Sequence, residues 1–165
     1  MKNLRQGDGK TVNELKKRLQ KKSRTRGYFK KILVPLDGSK KSIRALDKAI
    51  ILASQFDSEI VLVNVVPLIP LGDARMVKKL KQDLQKKALK LLQKGKNLCK
   101  KYDVKSKIRV LSGEPGTVIL RHANTKKFDL IVMGASGKGL AKELILGSVA
   151  NYVLHKSKIP VLVLK

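Results

Sequence analysis

Five short apolar runs alternate with longer segments of helical periodicity over most of the chain. The runs are Ile32–Leu36, Glu59–Val66, Val104–Leu111, Leu130–Met133 and Ile159–Lys165. Strands that alternate with helices are joined by crossover connections, and such connections build parallel sheets covered by helices on both faces. The alternation therefore predicts an α/β fold with an open parallel sheet of five strands.

The composition limits the class of protein. The 165 residues suffice for one domain with a real core, and a single cysteine excludes an internal disulfide and fits a reducing compartment. We expect that residue, Cys99, to be a small buried group on a helix. No apolar run is long enough to span a membrane, and the N-terminus lacks the apolar core of a signal peptide, so we expect a soluble, cytoplasmic protein.

A loop of small residues follows the fourth apolar run, with the spacing Gly134, two residues, Gly137, nine residues, Gly147-Ser148. Glycines at the end of a parallel strand let main-chain N–H groups approach a phosphate, and a helix N-terminus favours negative charge. Glycines alone more often mark an ordinary turn, and the loop matches neither G-x-x-x-x-G-K-[ST] nor a G-x-G-x-x-G that opens a helix. The complete spacing after a buried strand nevertheless favours a phosphate site.

A second polar cluster, Asp37-Gly38-Ser39, follows the first apolar run. Ligands of open α/β sheets bind at the carboxyl ends of the strands. A carboxylate in this position can therefore accept hydrogen bonds from ribose hydroxyls or help to hold Mg²⁺. The alternative is a structural role, since Asp and Ser are also good N-cap residues for the helix that follows.

Three motifs together resemble the ATP-binding branch of the universal stress protein family. They are the glycine spacing, Val34-Pro35-Leu36-Asp37-Gly38-Ser39 near the start, and Pro160-Val161-Leu162-Val163 at the end. The resemblance extends from about Lys31 to Lys165 and implies a Rossmann-like sheet with the strand order 3-2-1-4-5. The switch point of such a sheet lies between the first and fourth strands, which would bring Asp37 and the Gly134 loop to one edge.

The resemblance also implies ATP as the ligand, with Mg²⁺ held through its phosphates and no other metal. Asp37 and Val65 would hold the adenosine, with Val65 packed on the base. Met133 and Val149 would frame the pocket, and Lys138 would reach a phosphate. The predicted nucleotide-binding residues are, in chain order, Pro35, Asp37, Val65, Met133, Gly134, Gly137, Lys138, Gly147, Ser148 and Val149.

No nucleophile or general base is positioned near the loop, so we assign no catalytic residue and expect any ATP hydrolysis to be slow. Binding would then act as a switch in stress response or signalling rather than in metabolism. An ATP-dependent enzyme of the pyrophosphatase-type ligase class is a weaker alternative, because the chain lacks a second substrate domain. His122 has no partner at metal-ligand spacing, and we expect no metal site there.

The formal net charge of +26 predicts attraction to polyanions. Residues 1–29 are predicted to be a basic N-terminal extension, disordered or partly helical, outside a nucleotide-binding domain of residues 30–165. A long helix predicted over Ala74–Tyr102 carries a dense lysine face. These features support an alternative function as a nucleic-acid-associated protein, whereas the competing interpretation is a solvated lysine-rich surface.

The buried stripe of that long helix is predicted from its apolar periodicity. The stripe consists of Leu80, Leu84, Ala88, Leu91 and Leu98. We expect Gly95 to interrupt this helix at a cost of about 1 kcal/mol relative to Ala.

The C-terminal apolar strand would leave an open sheet edge, which proteins usually cover. Pairing with the same strand of a second copy would cover it in a closed two-fold arrangement. The family resemblance implies the same, a homodimer through residues 160–164.

Overall fold

The structure is a computed structural model that describes residues 29–69, 73–137 and 146–165. Helices and strands alternate along these residues. They are β1 (Lys31–Pro35), α1 (Lys40–Phe56), β2 (Glu59–Val66), α2 (Ala74–Lys101), β3 (Ser106–Ser112), α3 (Pro115–Thr125), β4 (Leu130–Gly134), α4 (Ser148–Lys156) and β5 (Val161–Leu164). Residues 1–28 of the predicted extension and Lys138 lie outside the described residues.

All five strands lie in one parallel sheet with the order β3-β2-β1-β4-β5. The predicted α/β, Rossmann-like sheet and its strand order are therefore confirmed. Strand β1 pairs with β2 on one side and with β4 on the other, so the switch point lies between β1 and β4. The carboxyl ends of β1 and β4 consequently meet at one edge of the sheet.

Helices cover both faces of the sheet, as predicted. One core layer lies between the sheet and helices α1 and α2, and it includes Leu46 and Leu92. The other layer lies between the sheet and helices α3 and α4, and it includes Ile119 and Val153. Residues of β1 alternate between the two layers, which explains why this strand is apolar on both sides.

The buried stripe of α2 differs from the predicted one. Its fully buried residues are Ala88, Leu92, Gly95 and Cys99, whereas Leu80 is 48% exposed and the other predicted leucines are partly buried. The prediction was therefore wrong for Leu80 and right for Ala88 and Cys99. The helix has 28 residues, about 42 Å, whereas β2 beneath it has 8 residues, about 26 Å, so the first turns of α2 extend past the sheet. No described helix, α2 included, is both long and apolar enough to cross a membrane.

The edge strand β3 begins at Ser106 rather than at the predicted Val104. The N–H of Val104 donates to the carbonyl of Cys99 at 2.9 Å, so this residue belongs to the turn that ends α2. Within β3, partly buried residues alternate with exposed ones over most of the strand, which is the pattern of a strand that faces solvent.

Three of the described helices begin with a side chain that accepts hydrogen bonds from the first turn. Ser39 caps α1, Asp73 caps α2 and Glu114 caps α3. Helix α4 differs, because its N-cap is Gly147 and has no side-chain cap hydrogen bond. Within the part of the chain that the structure describes, no side chain therefore caps the first N–H groups of α4.

Candidate functional site

A cavity of about 360 Å³ opens at the carboxyl ends of β1, β2 and β4. Its lining residues are Pro35, Leu36, Asp37, Ser42, Val63, Asn64, Val65, Pro115, Ile119, Met133, Gly134, Ser136, Gly137, Gly147, Ser148, Val149 and Ala150. Every predicted site residue in the described part of the chain lies in this wall, and Lys138 lies outside that part. The structure thus brings the two predicted halves of the site together, and their role in binding a nucleotide stays a prediction.

Asp37 lies in the loop between β1 and α1, where it is half-buried. Its Oδ1 accepts a hydrogen bond from the main-chain N–H of Ser39 at 2.9 Å, and Ser39 rather than Asp37 is the N-cap of α1. Burial raises the pKa of Asp37, but hydrogen bonds from the Ser39 main chain and from the hydroxyls of Ser39 and Ser42 lower this pKa more, so that it lies below its usual value. Asp37 is therefore held as a carboxylate, which accepts hydrogen bonds and donates none.

Close packing requires the glycines of the loop. A Cβ atom on Gly134 would lie 2.9 Å from the main-chain nitrogen of Ser42 in the first turn of α1. A Cβ atom on Gly147 would lie 3.1 Å from Ser136 Cα, and the Gly147 N–H donates to the carbonyl of Ala135 at 2.7 Å. The loop, α1 and the start of α4 therefore meet main chain to main chain beside the cavity.

The first turn of α4 forms part of the cavity wall through Ser148, Val149 and Ala150. Its N-cap, Gly147, supplies no side-chain acceptor, so among the described residues no side chain competes with a ligand for the main-chain N–H groups of this turn. A helix N-terminus carries a partial positive charge, and the Ser148 side chain is exposed and adds a hydroxyl donor. This part of the wall therefore suits an anionic group.

Another part of the wall is apolar. Val65, Met133 and Val149 lie there together with Pro115 and Ile119. Val65 and Val149 pack against the core layer beneath α3 and α4, of which Met133 and Ile119 are members. Apolar side chains supported in this way accommodate a ring, while polar groups nearby fix its orientation.

Sequence reasoning missed Ser136 and Lys41. Ser136 lines the cavity, is 5% exposed, and accepts a hydrogen bond from Lys41 Nζ at 2.8 Å. The position of Ser136 between Gly134 and Gly137 is the signal that could have identified it. No local pattern points to Lys41, because it lies 95 positions from Ser136 and the fold alone brings the two together.

Asp37 is the one ionisable side chain among the described residues that line the cavity. The described residues also contain no group of three or more His, Cys, Asp or Glu side chains that could hold a metal ion. This wall can therefore bind and orient a ligand through hydrogen bonds and a helix dipole. It offers no His, Cys or second carboxylate for acid–base chemistry within the described residues.

Comparison with known proteins agrees with this arrangement. The model of the universal stress protein family matches residues 28–165. Universal stress protein MJ0531 of Methanocaldococcus jannaschii is 37% identical over 143 residues, which cover 83% of this chain and 82% of that protein.

Two solved structures extend the comparison. MJ0577, a universal stress protein of the same organism, superposes with a TM-score of 0.78 at 31% identity, and the match covers 84% of this chain and 97% of that chain. A universal stress protein solved in complex with cAMP superposes with a TM-score of 0.67 at 26% identity, and the match covers 84% of this chain and 99% of that chain. From its strand order, its glycine-lined cavity and these matches, the chain belongs to the universal stress protein family.

Proposed function

We propose that the cavity binds ATP and that nucleotide binding acts as a switch in stress response or signalling. The observation that carries this proposal is the convergence of Asp37, the loop of residues 134–137 and the N-terminus of α4 on one cavity. These three parts are separate in the chain. Asp37 suits the ribose, whereas the loop and the N-terminus of α4 both suit the phosphates.

The chemistry of the wall fits the parts of the ligand. The apolar side chains of Val65, Met133 and Val149 suit an adenine ring. Asp37 suits the ribose, because its lowered pKa keeps it an acceptor for hydroxyl donors. The phosphates would lie against the loop and Ser148, where an anion offsets the dipole of α4.

We favour ATP over a nucleotide with one phosphate because the donors extend from the loop after β4 to the first turn of α4. Mg²⁺ would be held by the phosphates, since the described residues offer no metal-binding cluster of their own. The relative solved with cAMP supports an adenine nucleotide site, and it makes cAMP the ligand with which ATP must be compared.

We expect slow hydrolysis or none. Asp37 is assigned to the ribose, and no other described side chain of the wall can activate a water molecule. The rate at which inorganic phosphate is released at saturating MgATP measures the rate of hydrolysis. Hydrolysis at an ordinary enzyme rate, about 1 s⁻¹ or faster, would contradict the proposal that binding acts as a switch, and it would favour an ATP-dependent enzyme.

Calorimetric titration of MgATP into protein shown by mass spectrometry to be free of nucleotide tests the site. We expect affinity of about micromolar in the wild type, and a loss of at least about tenfold in Gly147→Val, because a side chain there would displace Ser136. Ser148→Ala should weaken binding by a smaller factor. Ser54→Ala, which alters an exposed serine far along α1, is the control and should bind like the wild type. Absence of binding in the wild type would rule out the proposal.

The proposed partner is a second copy of the chain. Strand β5 forms one edge of the sheet, and Leu162 on it is 38% exposed. An open edge presents unpaired main-chain groups. Pairing residues 160–164 of two copies about a two-fold axis would cover both edges at once.

A second candidate function, binding of duplex nucleic acid, is favoured by the outer face of α2. Five exposed lysines lie on the side of this helix away from its buried stripe. They are Lys79, Lys86, Lys90, Lys94 and Lys101. The described salt bridges involve Lys105 and Lys107 and none of these five. The row is about 33 Å long, close to one turn of a DNA duplex, and it contains no aromatic side chain on which a single strand could stack.

The salt dependence of binding tests this second candidate. If all five lysines contact phosphates, the slope of log K against log salt for duplex DNA should be about −4 to −5. Replacing Lys86, Lys90 and Lys94 together by Gln should reduce its magnitude by about 3, with little change in ATP affinity. A slope that the triple variant leaves unchanged would show that the row makes no contact with the nucleic acid.

A further inference from the structure

Lys41 is a cation in a position where a helix disfavours one. It is the second residue of α1, whose first turn includes Lys40 and Lys41 and no acidic residue. The positive end of a helix dipole repels cations and attracts anions. The Lys41 side chain is partly buried, and its Nζ donates to Ser136 Oγ at 2.8 Å.

Ser136 links Lys41 to the cavity. An ammonium group only donates hydrogen bonds, so Ser136 Oγ is the acceptor in this pair and its own proton is available to another acceptor. Ser136 lines the cavity beside Gly134 and Gly137. A hydroxyl that is polarised by an ammonium is a stronger donor to an anion.

The main chain holds this pair in place. A Cβ atom on Gly134 would lie 2.8 Å from the carbonyl carbon of Lys41, so the end of β4 and the first turn of α1 are in direct contact. The base of the Lys41 side chain is thereby fixed beside the loop that contains Ser136.

The positive charge of Lys41 would offset negative charge in the cavity. Among the described lining residues the ionisable side chain is Asp37, a carboxylate. A chain of phosphates brings further negative charges next to it, and these repel one another and Asp37. Lys41 is the cation that the described structure joins to the wall of the cavity.

We propose that Lys41, together with Ser136, forms an additional contact for the phosphate chain and selects nucleotides with several phosphates over nucleotides with one. This inference rests on the proposed nucleotide site. A cation adds more to the binding of a ligand with more negative charge, so the preference for ATP over AMP or cAMP is the quantity that Lys41 should control.

The experiment measures MgATP, AMP and cAMP binding calorimetrically in the wild type, Lys41→Gln and Lys40→Gln. Lys40 is the matched control because it is the adjacent, exposed lysine of the same turn and makes no described contact with Ser136. We expect Lys41→Gln to weaken MgATP binding about tenfold or more and to weaken AMP and cAMP binding at most about twofold. Lys40→Gln should change all three by at most about twofold, and Ser136→Ala should reduce the preference for ATP as Lys41→Gln does.

The outcomes separate the two proposals. If Lys41 only supports the loop, Lys41→Gln will lower the affinity for all three nucleotides by the same factor. That result, or any other result in which the preference for ATP is unchanged, overturns the inference but not the proposed nucleotide site. A wild type that binds none of the three overturns the proposed function and the inference with it. Thermal unfolding shows whether each variant folds. Lys41→Met, which keeps the aliphatic stem, replaces Lys41→Gln if that variant does not fold.

Discussion

Gly137 lies directly against the carboxylate of Asp37, since a Cβ atom on the glycine would lie 2.7 Å from Asp37 Oδ2. The other oxygen of the same carboxylate accepts a hydrogen bond from the Ser39 N–H at 2.9 Å. One oxygen is thus held by a donor, and the other occupies the space that a side chain on residue 137 would fill. The second glycine of the loop therefore makes room for Asp37, in addition to any contact of its main chain with a phosphate.

Gly137→Ala is expected to weaken nucleotide binding with little loss of stability. The added methyl would push the Asp37 carboxylate out of position, so we expect at least about tenfold weaker MgATP binding in calorimetry. The free energy of unfolding in urea should fall by about 1 kcal/mol or less, because Gly137 is exposed and the displaced group is the end of a side chain, so that the loss is limited to the hydrogen bonds of Asp37.

A double-mutant cycle is the control for this interpretation. Once Asp37 is replaced by Ala, the additional change Gly137→Ala should have almost no further effect, and the two substitutions should show a coupling energy of about 1 kcal/mol or more. Additive losses would mean that Gly137 acts through its main chain alone and that its contact with Asp37 is unimportant for binding.

The sequence predicted the fold more fully than it predicted the contacts within the site. The apolar run of β2, Glu59–Val66, and the start of α4 at Ser148 were predictable because turn residues or glycine bound them locally. Strand order came from resemblance to a family, since the pairing of β1 with β4 is a long-range property. The pair of Lys41 and Ser136 was not predictable, because nothing local in either segment indicates the other.

Gly95 shows how helix propensity can mislead. From helix propensity alone, a glycine within α2 is expected to destabilise the helix. Gly95, however, is buried where the helix comes closest to the sheet and α1. A Cβ atom on it would lie 2.9 Å from Leu62 Cδ1, 3.0 Å from Leu36 Cδ1 and 3.3 Å from Leu46 Cδ2. The glycine is therefore explained by packing between elements, which the sequence of α2 alone cannot reveal.

Gly95→Ala is expected to destabilise the protein by about 1 kcal/mol. The better helix propensity of alanine contributes about 1 kcal/mol of stability. The added methyl group crowds three buried leucines, which costs about 1–3 kcal/mol. Unfolding in urea, followed by circular dichroism, measures the difference. Lys96→Ala, at the adjacent exposed position, is the control and should stay within about 0.5 kcal/mol of the wild type. If Gly95→Ala is instead the more stable protein, propensity outweighs packing at this position.

The lowered pKa of Asp37 predicts a pH dependence of stability. The folded-state pKa lies below the ordinary value of 3.8, because burial raises it less than the hydrogen bonds from Ser39 and Ser42 lower it. The carboxylate therefore stabilises the folded state at pH values above that ordinary pKa. This contribution is lost as the pH falls through the folded-state pKa. The difference in unfolding free energy between the wild type and Asp37→Asn should be largest near pH 7 and should shrink below about pH 4. A difference that is constant with pH would mean that Asp37 is not favoured as a carboxylate by folding.

The proposed dimer can be tested at the outer edge of β5. The carbonyl of Pro160 accepts a hydrogen bond from the N–H of Ile131 in β4 at 3.0 Å, and the carbonyl of Leu164 accepts one from the N–H of Ala135, the residue after β4, at 2.7 Å. Main-chain groups alternate in direction along an extended strand. The N–H of Val163 therefore points away from β4, toward the open edge at which the proposed second copy would pair. Val163→Pro should remove that donor while the β4–β5 pairing stays, and it should convert a dimer into a monomer in sedimentation equilibrium. Val163→Thr keeps the donor and the branched side chain and should remain a dimer. A wild type that sediments as a monomer, or a Val163→Pro variant that remains a dimer, would exclude pairing through this edge.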